Sequence, residues 1–143
     1  MATSVLELLG DALDREHPAV LATAVVGSQA GAKLLLVSRP AAEAADSAAT
    51  VERLATGWTD RGLEETVGRD AEVALTSATR GVRRYGDEGR LDGDAQTVFY
   101  EAHVPPHRLI IFGAVDFSAA VVRVAKVLGF HVVVCDAREV FAT

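Results

Sequence analysis

The sequence is poor in cysteine, in positive charge and in long apolar runs, and each shortage removes a class of protein. A single cysteine, Cys135, makes an internal disulfide impossible, and a zinc site would need several ligands other than thiolate. The formal net charge of −6 provides no basic field for a nucleic acid backbone. No apolar run approaches the roughly 20 residues that span a bilayer. We therefore expect no metal site, no nucleic acid partner and no membrane association.

The remaining composition is that of a globular protein. Apolar residues make up 50% of the chain and charged residues 24%, a balance that predicts a packed core. The first residues begin on a helical pattern rather than on a signal peptide, so we expect a cytoplasmic protein. The length of 143 residues allows one ordinary domain, or a small domain joined to part of another. The elements described next favour the second arrangement.

The beginning of the chain predicts a helix followed by a β-hairpin. Ser4 and Glu7 have the spacing of a capping box in front of an amphipathic helix that Pro18 should end. Apolar runs at 19–26 and 32–38 are separated by a glycine-containing turn, as in two paired strands.

Further helices and strands are predicted as far as residue 104. The alanine-rich stretch 40–55 favours a helix by composition alone, whereas 63–78 has a clear amphipathic helical period and should pack on the first sheet. Strands are predicted at 81–85 and 97–104, with a loop rich in glycine and aspartate at 86–94.

A double proline, Pro105-Pro106, predicts a stiff joint between two domains. Residues 1–104 would form a small N-terminal α/β domain. Residues 107–143 would form the start of a Rossmann-like parallel sheet, because the apolar runs 109–112 and 132–135 flank an amphipathic helix. The predicted fold class is α/β, with the Rossmann-like sheet incomplete.

The candidate cofactor contacts lie in two places. One is the turn after the predicted strand 109–112, and the other is the end of the predicted strand 132–135. A Rossmann unit holds a phosphate at the turn and a ribose on an acid about 20 residues later. The residues in these positions are Gly113, Ala114, Val115, Asp116 and Asp136.

Two features of this turn argue against a tightly bound NAD or NADP. Val115 stands where a second glycine would let a phosphate approach the backbone, and Asp116 adds a negative charge. Other roles stay open for these residues: Asp116 or Ser118 is a natural N-cap, and Asp136 is a common type of residue to begin a loop.

No set of side chains predicts catalysis. The sequence has no nucleophile elbow with a matching histidine and acid, and its histidines lack the spacing of metal ligands. Cys135 lies in an apolar strand and is expected to be a small buried hydrophobe. Trp58 could line a pocket or cover the edge of the core.

Three stretches carry a specific resemblance. Residues 98–106, the run from Arg108 to Ala114, and the run from Gly129 to Arg138 resemble the joint and Rossmann entry of the XdhC/CoxI family, which residues 141–143 also fit. That family matures molybdenum hydroxylases such as xanthine dehydrogenase and carbon monoxide dehydrogenase. The resemblance implies a chaperone that binds the molybdenum cofactor, molybdopterin, and delivers it to the apoenzyme, rather than an enzyme.

The sequence departs from that family in its N-terminal part. Residues 57–62 stand where the family usually has a Gly-Gly-Cys turn, and they contain no cysteine. Two alternatives therefore stay open: an NAD(P)-dependent oxidoreductase, and a degenerate paralogue without catalysis.

The predicted parallel sheet would leave an apolar face and an open edge. Two strands and one helix are too few to bury both the apolar face and the open edge. We expect either that these residues are part of a longer protein or that a second copy completes the layer in a symmetric dimer.

Overall fold

The computed structural model describes residues 4–40, 50–86 and 95–138, and the chain divides into two compact units, Met1–Val104 and Pro105–Thr143. We call them the N-terminal and C-terminal units. The N-terminal unit contains a five-stranded antiparallel sheet, and the C-terminal unit contains a parallel pair of strands. The protein is therefore mixed α/β, with most of its sheet antiparallel.

The described residues contain the following helices and strands. In chain order they are α1 (Val5–Asp14), β1 (Ala19–Val26), β2 (Lys33–Arg39), β3 (Thr50–Thr56), α2 (Arg61–Ser77), β4 (Gly81–Tyr85), β5 (Gln96–His103), β6 (Arg108–Phe112), α3 (Asp116–Val127) and β7 (His131–Cys135). The strands of the larger sheet lie in the order β3-β2-β1-β5-β4.

Helix α1 covers one face of this sheet. The predicted capping box is confirmed: the Ser4 amide donates to Glu7 Oε2 at 2.8 Å, and the Glu7 amide donates to Ser4 Oγ at 3.1 Å. These bonds satisfy amides that the first turn of a helix leaves unpaired. The helix buries its apolar side against β1 and β2 in a cluster formed by Val5, Leu8, Ala12, Ala19, Leu21, Leu35 and Val37. The predicted hairpin is confirmed by the antiparallel pairing of β1 with β2.

Helix α2 covers the opposite face, as its amphipathic period predicts. Asp60 caps it by accepting a hydrogen bond from the Leu63 amide at 3.0 Å. Val67, Ala71 and Ala74 are buried against side chains of β1, β2 and β5. Because helices lie on both faces, the central strands are enclosed, and Leu34, Leu35 and Val20 have almost no exposed surface.

The prediction of a helix over residues 40–55 is wrong for residues 50–55. Residues 50–56 form β3, which pairs with β2 from Arg39 opposite Thr50 to Lys33 opposite Thr56. Alanine content gave only a weak helical preference, and seven paired positions along the open edge of β2 outweigh it. Residues 41–49, and residues 87–94 of the loop predicted at 86–94, lie outside the described part of the chain.

The C-terminal unit has the predicted order of strand, helix and parallel strand. Arg108 pairs with His131 and Phe112 with Cys135, in parallel register. The expectation of a Rossmann-like sheet is met only as far as this single β-α-β unit among the described residues.

Most of the apolar stripe that the sequence predicts for α3, which consists of Phe117, Val121, Val124 and Leu128, is exposed. Phe117, Val124 and Leu128 of that stripe are 76%, 61% and 69% exposed. The buried residues of α3 are instead Ser118 and Ala125. Val121 and Val122 are half-buried, so only part of the apolar surface of α3 is covered.

Candidate functional site

The five candidate residues lie around the turn that joins β6 to α3. Gly113 leaves β6 with φ +107°, a conformation that side chains rarely adopt, and its amide donates to the Cys135 carbonyl at 2.7 Å. The chain then passes through Ala114 to Val115, which is the N-cap of α3 and has an extended backbone. Asp116 is the first helical residue.

The predicted N-cap is wrong. Neither Asp116 nor Ser118 occupies that position, which belongs to Val115, a residue whose side chain has no hydrogen-bonding atom. The Ser118 hydroxyl donates instead to the Gly113 carbonyl at 2.5 Å. Ser118, in the first turn of α3, therefore stabilises the connection between β6 and α3. Asp116 places its negative charge near the positive end of the helix dipole.

Asp136 is connected to the same turn by its carboxylate. Its Oδ2 accepts a hydrogen bond from the Ala114 amide at 2.7 Å, and its Oδ1 accepts from the Arg138 amide at 2.9 Å. The Arg138 guanidinium adds bonds of 2.9 Å to both oxygens. The Asp136 side chain is only 5% exposed. Hydrogen bonds from the Arg138 side chain, then from the Ala114 and Arg138 amides, lower its pKa below the usual range.

These contacts decide which ligand the turn could accept. A phosphate at this point would need the Ala114 amide, which already donates to Asp136. The Asp116 carboxylate would repel it, whereas the Asp136 carboxylate is paired with Arg138, and the exposed Val115 side chain occupies the approach. The residues present do not fit the phosphate of a dinucleotide or of molybdopterin. Asp136 is likewise committed to protein donors rather than open to a ribose.

A second polar cluster, which the sequence did not predict, lies between α2, β4 and β5. The Tyr85 hydroxyl donates to Asp70 Oδ2 at 2.5 Å and contacts the Tyr100 hydroxyl. Arg83 Nη1 lies 2.6 Å from Asp70 Oδ1. Burial raises the pKa of Tyr100 to about 12 and, with the hydrogen bonds to Asp70 and Tyr100, raises that of Tyr85 further. The spacing of these residues along the chain gives no sign of their proximity.

The loop at residues 57–60 is held by hydrogen bonds that are buried or partly buried. The Thr59 amide donates to Gln29 Oε1 at 2.8 Å, and the Gln29 amide donates to Gln96 Oε1 at 3.0 Å. Trp58 Nε1 donates to the Lys33 carbonyl at 2.9 Å. Its ring packs against the core cluster that α2 forms with the sheet. Trp58 therefore covers the edge of the core, one of its two predicted roles.

The described residues contain neither a cluster of metal ligands nor a membrane-spanning helix. Within residues 4–40, 50–86 and 95–138, no three His, Cys, Asp or Glu side chains lie close enough together to hold a metal ion. In the same ranges no helix is long and apolar enough to cross a bilayer. Cys135 is half-buried, so the prediction of a buried cysteine holds only in part.

Comparison with known proteins adds little to this description. No protein-family model matches the chain, and no curated protein matches it. One crystal structure, described as a xanthine dehydrogenase from Bacillus halodurans, aligns at 14% identity with a TM-score of 0.31. The alignment covers 100% of this chain and 62% of that one, so this chain spans less than two thirds of its length. That TM-score is too low to establish a common fold, and the chain is assigned to no family.

Proposed function

We propose that this chain is an accessory protein in the maturation of a molybdenum hydroxylase of the xanthine dehydrogenase or carbon monoxide dehydrogenase type. One observation carries the proposal. The residues that resemble the XdhC/CoxI family, Arg108 to Ala114 and Gly129 to Arg138, form two strands and the connecting turns of one β-α-β unit. The resemblance therefore belongs to a folded element rather than to scattered positions.

The proposed partner is the hydroxylase apoenzyme, and the proposed contact surface is the exposed apolar side of α3. Its members are Phe117, Val124, Val127 and Leu128. Contiguous apolar side chains in contact with water favour association with another protein surface. The turn at Gly113 does not fit a phosphate, so we do not propose that it holds molybdopterin.

Association with a second copy is part of the same proposal. The exposed apolar side of α3 supports a homodimer as well as a complex with the apoenzyme, because apolar side chains in contact with water favour association in either case. Sedimentation velocity of the purified chain measures this directly. A compact monomer at all concentrations would contradict the dimer and leave the apoenzyme as the proposed partner.

The decisive experiment uses the cell from which the protein comes. Loss of this protein should lower the activity and the molybdenum content of at least one hydroxylase, and the tagged chain should purify with that enzyme. The double variant Phe117→Ser, Val127→Ser should lose the co-purification. Leu6→Ser is the matched control, since Leu6 is 65% exposed on α1 in the N-terminal unit. Unchanged molybdenum content in every hydroxylase would refute the proposed function.

A second candidate is a paralogue with a structural or regulatory role. The bond from the Ala114 amide to Asp136 favours it, because the turn satisfies its own donor and leaves less for a ligand. This candidate expects the partner enzyme to co-purify while its molybdenum content stays normal when the chain is lost.

A further inference from the structure

A cleft lies in the N-terminal unit, between the end of α2 and the first residues of β4. It has a volume of about 230 Å³ and is lined by Ala74, Thr79, Arg80, Gly81, Val82, Arg83 and Tyr100. A side chain at Gly81 would meet no described atom within 4 Å, so the cleft is open at that point. Its size suits a molecule smaller than most cofactors.

Arg80 brings the first positive charge to this cleft. Its Nε donates to the Ala102 carbonyl at 2.9 Å, which fixes the guanidinium plane against β5. Its two Nη atoms make no hydrogen bond or ion pair with the described part of the chain. Four N–H donors therefore remain for a ligand on a side chain that is already held in position.

Arg83 brings the second positive charge. It is paired with Asp70, and its guanidinium carbon lies 5.9 Å from the centre of the Tyr100 ring. Asp70 also accepts from the Tyr85 hydroxyl, so its carboxylate is shared between two donors. Among the described residues that line the cleft there are two guanidinium groups and no carboxylate, in a protein whose net charge is −6.

We propose that this cleft binds the oxyanion group of a small molecule, a phosphate or a carboxylate. The free donors of Arg80 would form paired hydrogen bonds with two oxygens, an arrangement for which guanidinium is suited. Arg83 supplies a second cation, and the Tyr100 ring and Ala74 form an apolar surface beside it. The site shares no residue with the turn at Gly113.

Calorimetric titration of the full chain at low salt, with inorganic phosphate in one series and succinate in the other, tests the proposal. At least one of the two should bind, and the stronger one identifies the oxyanion. Arg80→Gln should weaken that binding by about 10 to 100-fold, the effect of losing a charge-assisted hydrogen-bond pair. Circular dichroism should show that the variant remains folded.

Arg84→Gln is the matched control. Arg84 follows Arg83 on β4, pairs with Thr97 and does not line the cleft, so its substitution removes the same charge from the opposite face of the strand. Binding by this variant should equal that of the unmodified chain. Equal weakening by Arg80→Gln and Arg84→Gln would show a general charge effect and overturn the proposal, as would the absence of binding by both anions. None of these outcomes depends on a molybdenum hydroxylase.

Discussion

The two units of this protein treat their apolar side chains in opposite ways. In the N-terminal unit, α1 and α2 enclose the sheet, and the largest fully buried side chains among the described residues all lie there: Val20, Leu34, Leu35, Leu36, Val37, Val67 and Val98. In the C-terminal unit the large apolar side chains Phe112, Phe117 and Val127 are exposed, and the buried residues of its helix are Ser118 and Ala125. A sheet needs cover on both faces, and two strands with one helix do not provide it. The N-terminal unit therefore has an enclosed core, whereas the C-terminal unit leaves large apolar side chains exposed.

The largest expected effect comes from opening the enclosed core. Leu34 is 0% exposed, so Leu34→Ala should destabilise the protein by about 2 to 5 kcal/mol. Val127 is 86% exposed, and Val127→Ala should change stability by less than about 0.5 kcal/mol. Urea unfolding followed by Trp58 fluorescence measures the first, and circular dichroism measures both. A large loss from Val127→Ala would mean that another surface covers α3 in solution.

The second effect is a loss of stability at high pH that starts in the N-terminal unit. The folded state holds the Tyr100 proton more tightly than the unfolded chain, because burial raises the pKa of Tyr100 from 10.0 to about 12. This stabilisation, about 2 to 3 kcal/mol, is complete below pH ~10 and is lost as the pH rises through ~12.

The chain contains only two tyrosines, and both belong to this cluster, so absorbance at alkaline pH reports on them alone. In the folded protein both should ionise at a higher pH than an ordinary tyrosine, because burial raises the pKa of both groups. In Tyr85→Phe the remaining signal belongs to Tyr100 and should still appear above the ordinary range. Ionisation of both groups near pH ~10 in the folded protein would contradict the cluster.

A third prediction compares two glycines in the β1–β2 turn. Gly27 and Gly31 both have positive φ, +104° and +94°. A Cβ on Gly27 would lie 2.3 Å from Gln96 Oε1, whereas one on Gly31 would meet no described atom within 4 Å. The Gln96 amide would have to leave its bonds with the Gln29 amide and the Ser28 hydroxyl.

Gly31→Ala should therefore lower the free energy of unfolding by about 1 kcal/mol, the cost of the backbone strain alone. Gly27→Ala should lower it by about 1 to 2 kcal/mol more, because it also disrupts buried hydrogen bonds. Thermal unfolding of the two variants gives the difference. Equal losses would show that Gln96 moves aside without cost and that the network does not hold the loop.

The contrast between the units also explains what the sequence could predict. Caps and periodic apolar positions are local, so α1, α2 and the β1–β2 hairpin were predicted within a residue or two. The edge strand β3 was missed because its stability comes from pairing with β2, which composition does not reveal. At the candidate turn, Asp136 was placed at the end of β7 as expected, but its bond to the Ala114 amide depends on side-chain direction. The sequence does not predict the cleft between α2 and β4, because Ala74, Arg80 and Tyr100 come from three different segments.

The smallest expected effect concerns NAD at the β6–α3 turn of the uncovered unit. Calorimetric titration of the unmodified chain should give a dissociation constant weaker than about 1 mM, the ~4 kcal/mol level. Val115→Gly combined with Asp116→Asn removes the branched side chain and one charge but should leave binding near that level, because the Ala114 amide still donates to Asp136. Adding Asp136→Ser frees this amide and should strengthen binding about tenfold, or 1.4 kcal/mol. Amide exchange at Ala114, measured by NMR, should accelerate in the triple variant and not in the double variant. Micromolar binding by the unmodified chain would contradict the argument from the turn and favour an NAD-dependent oxidoreductase.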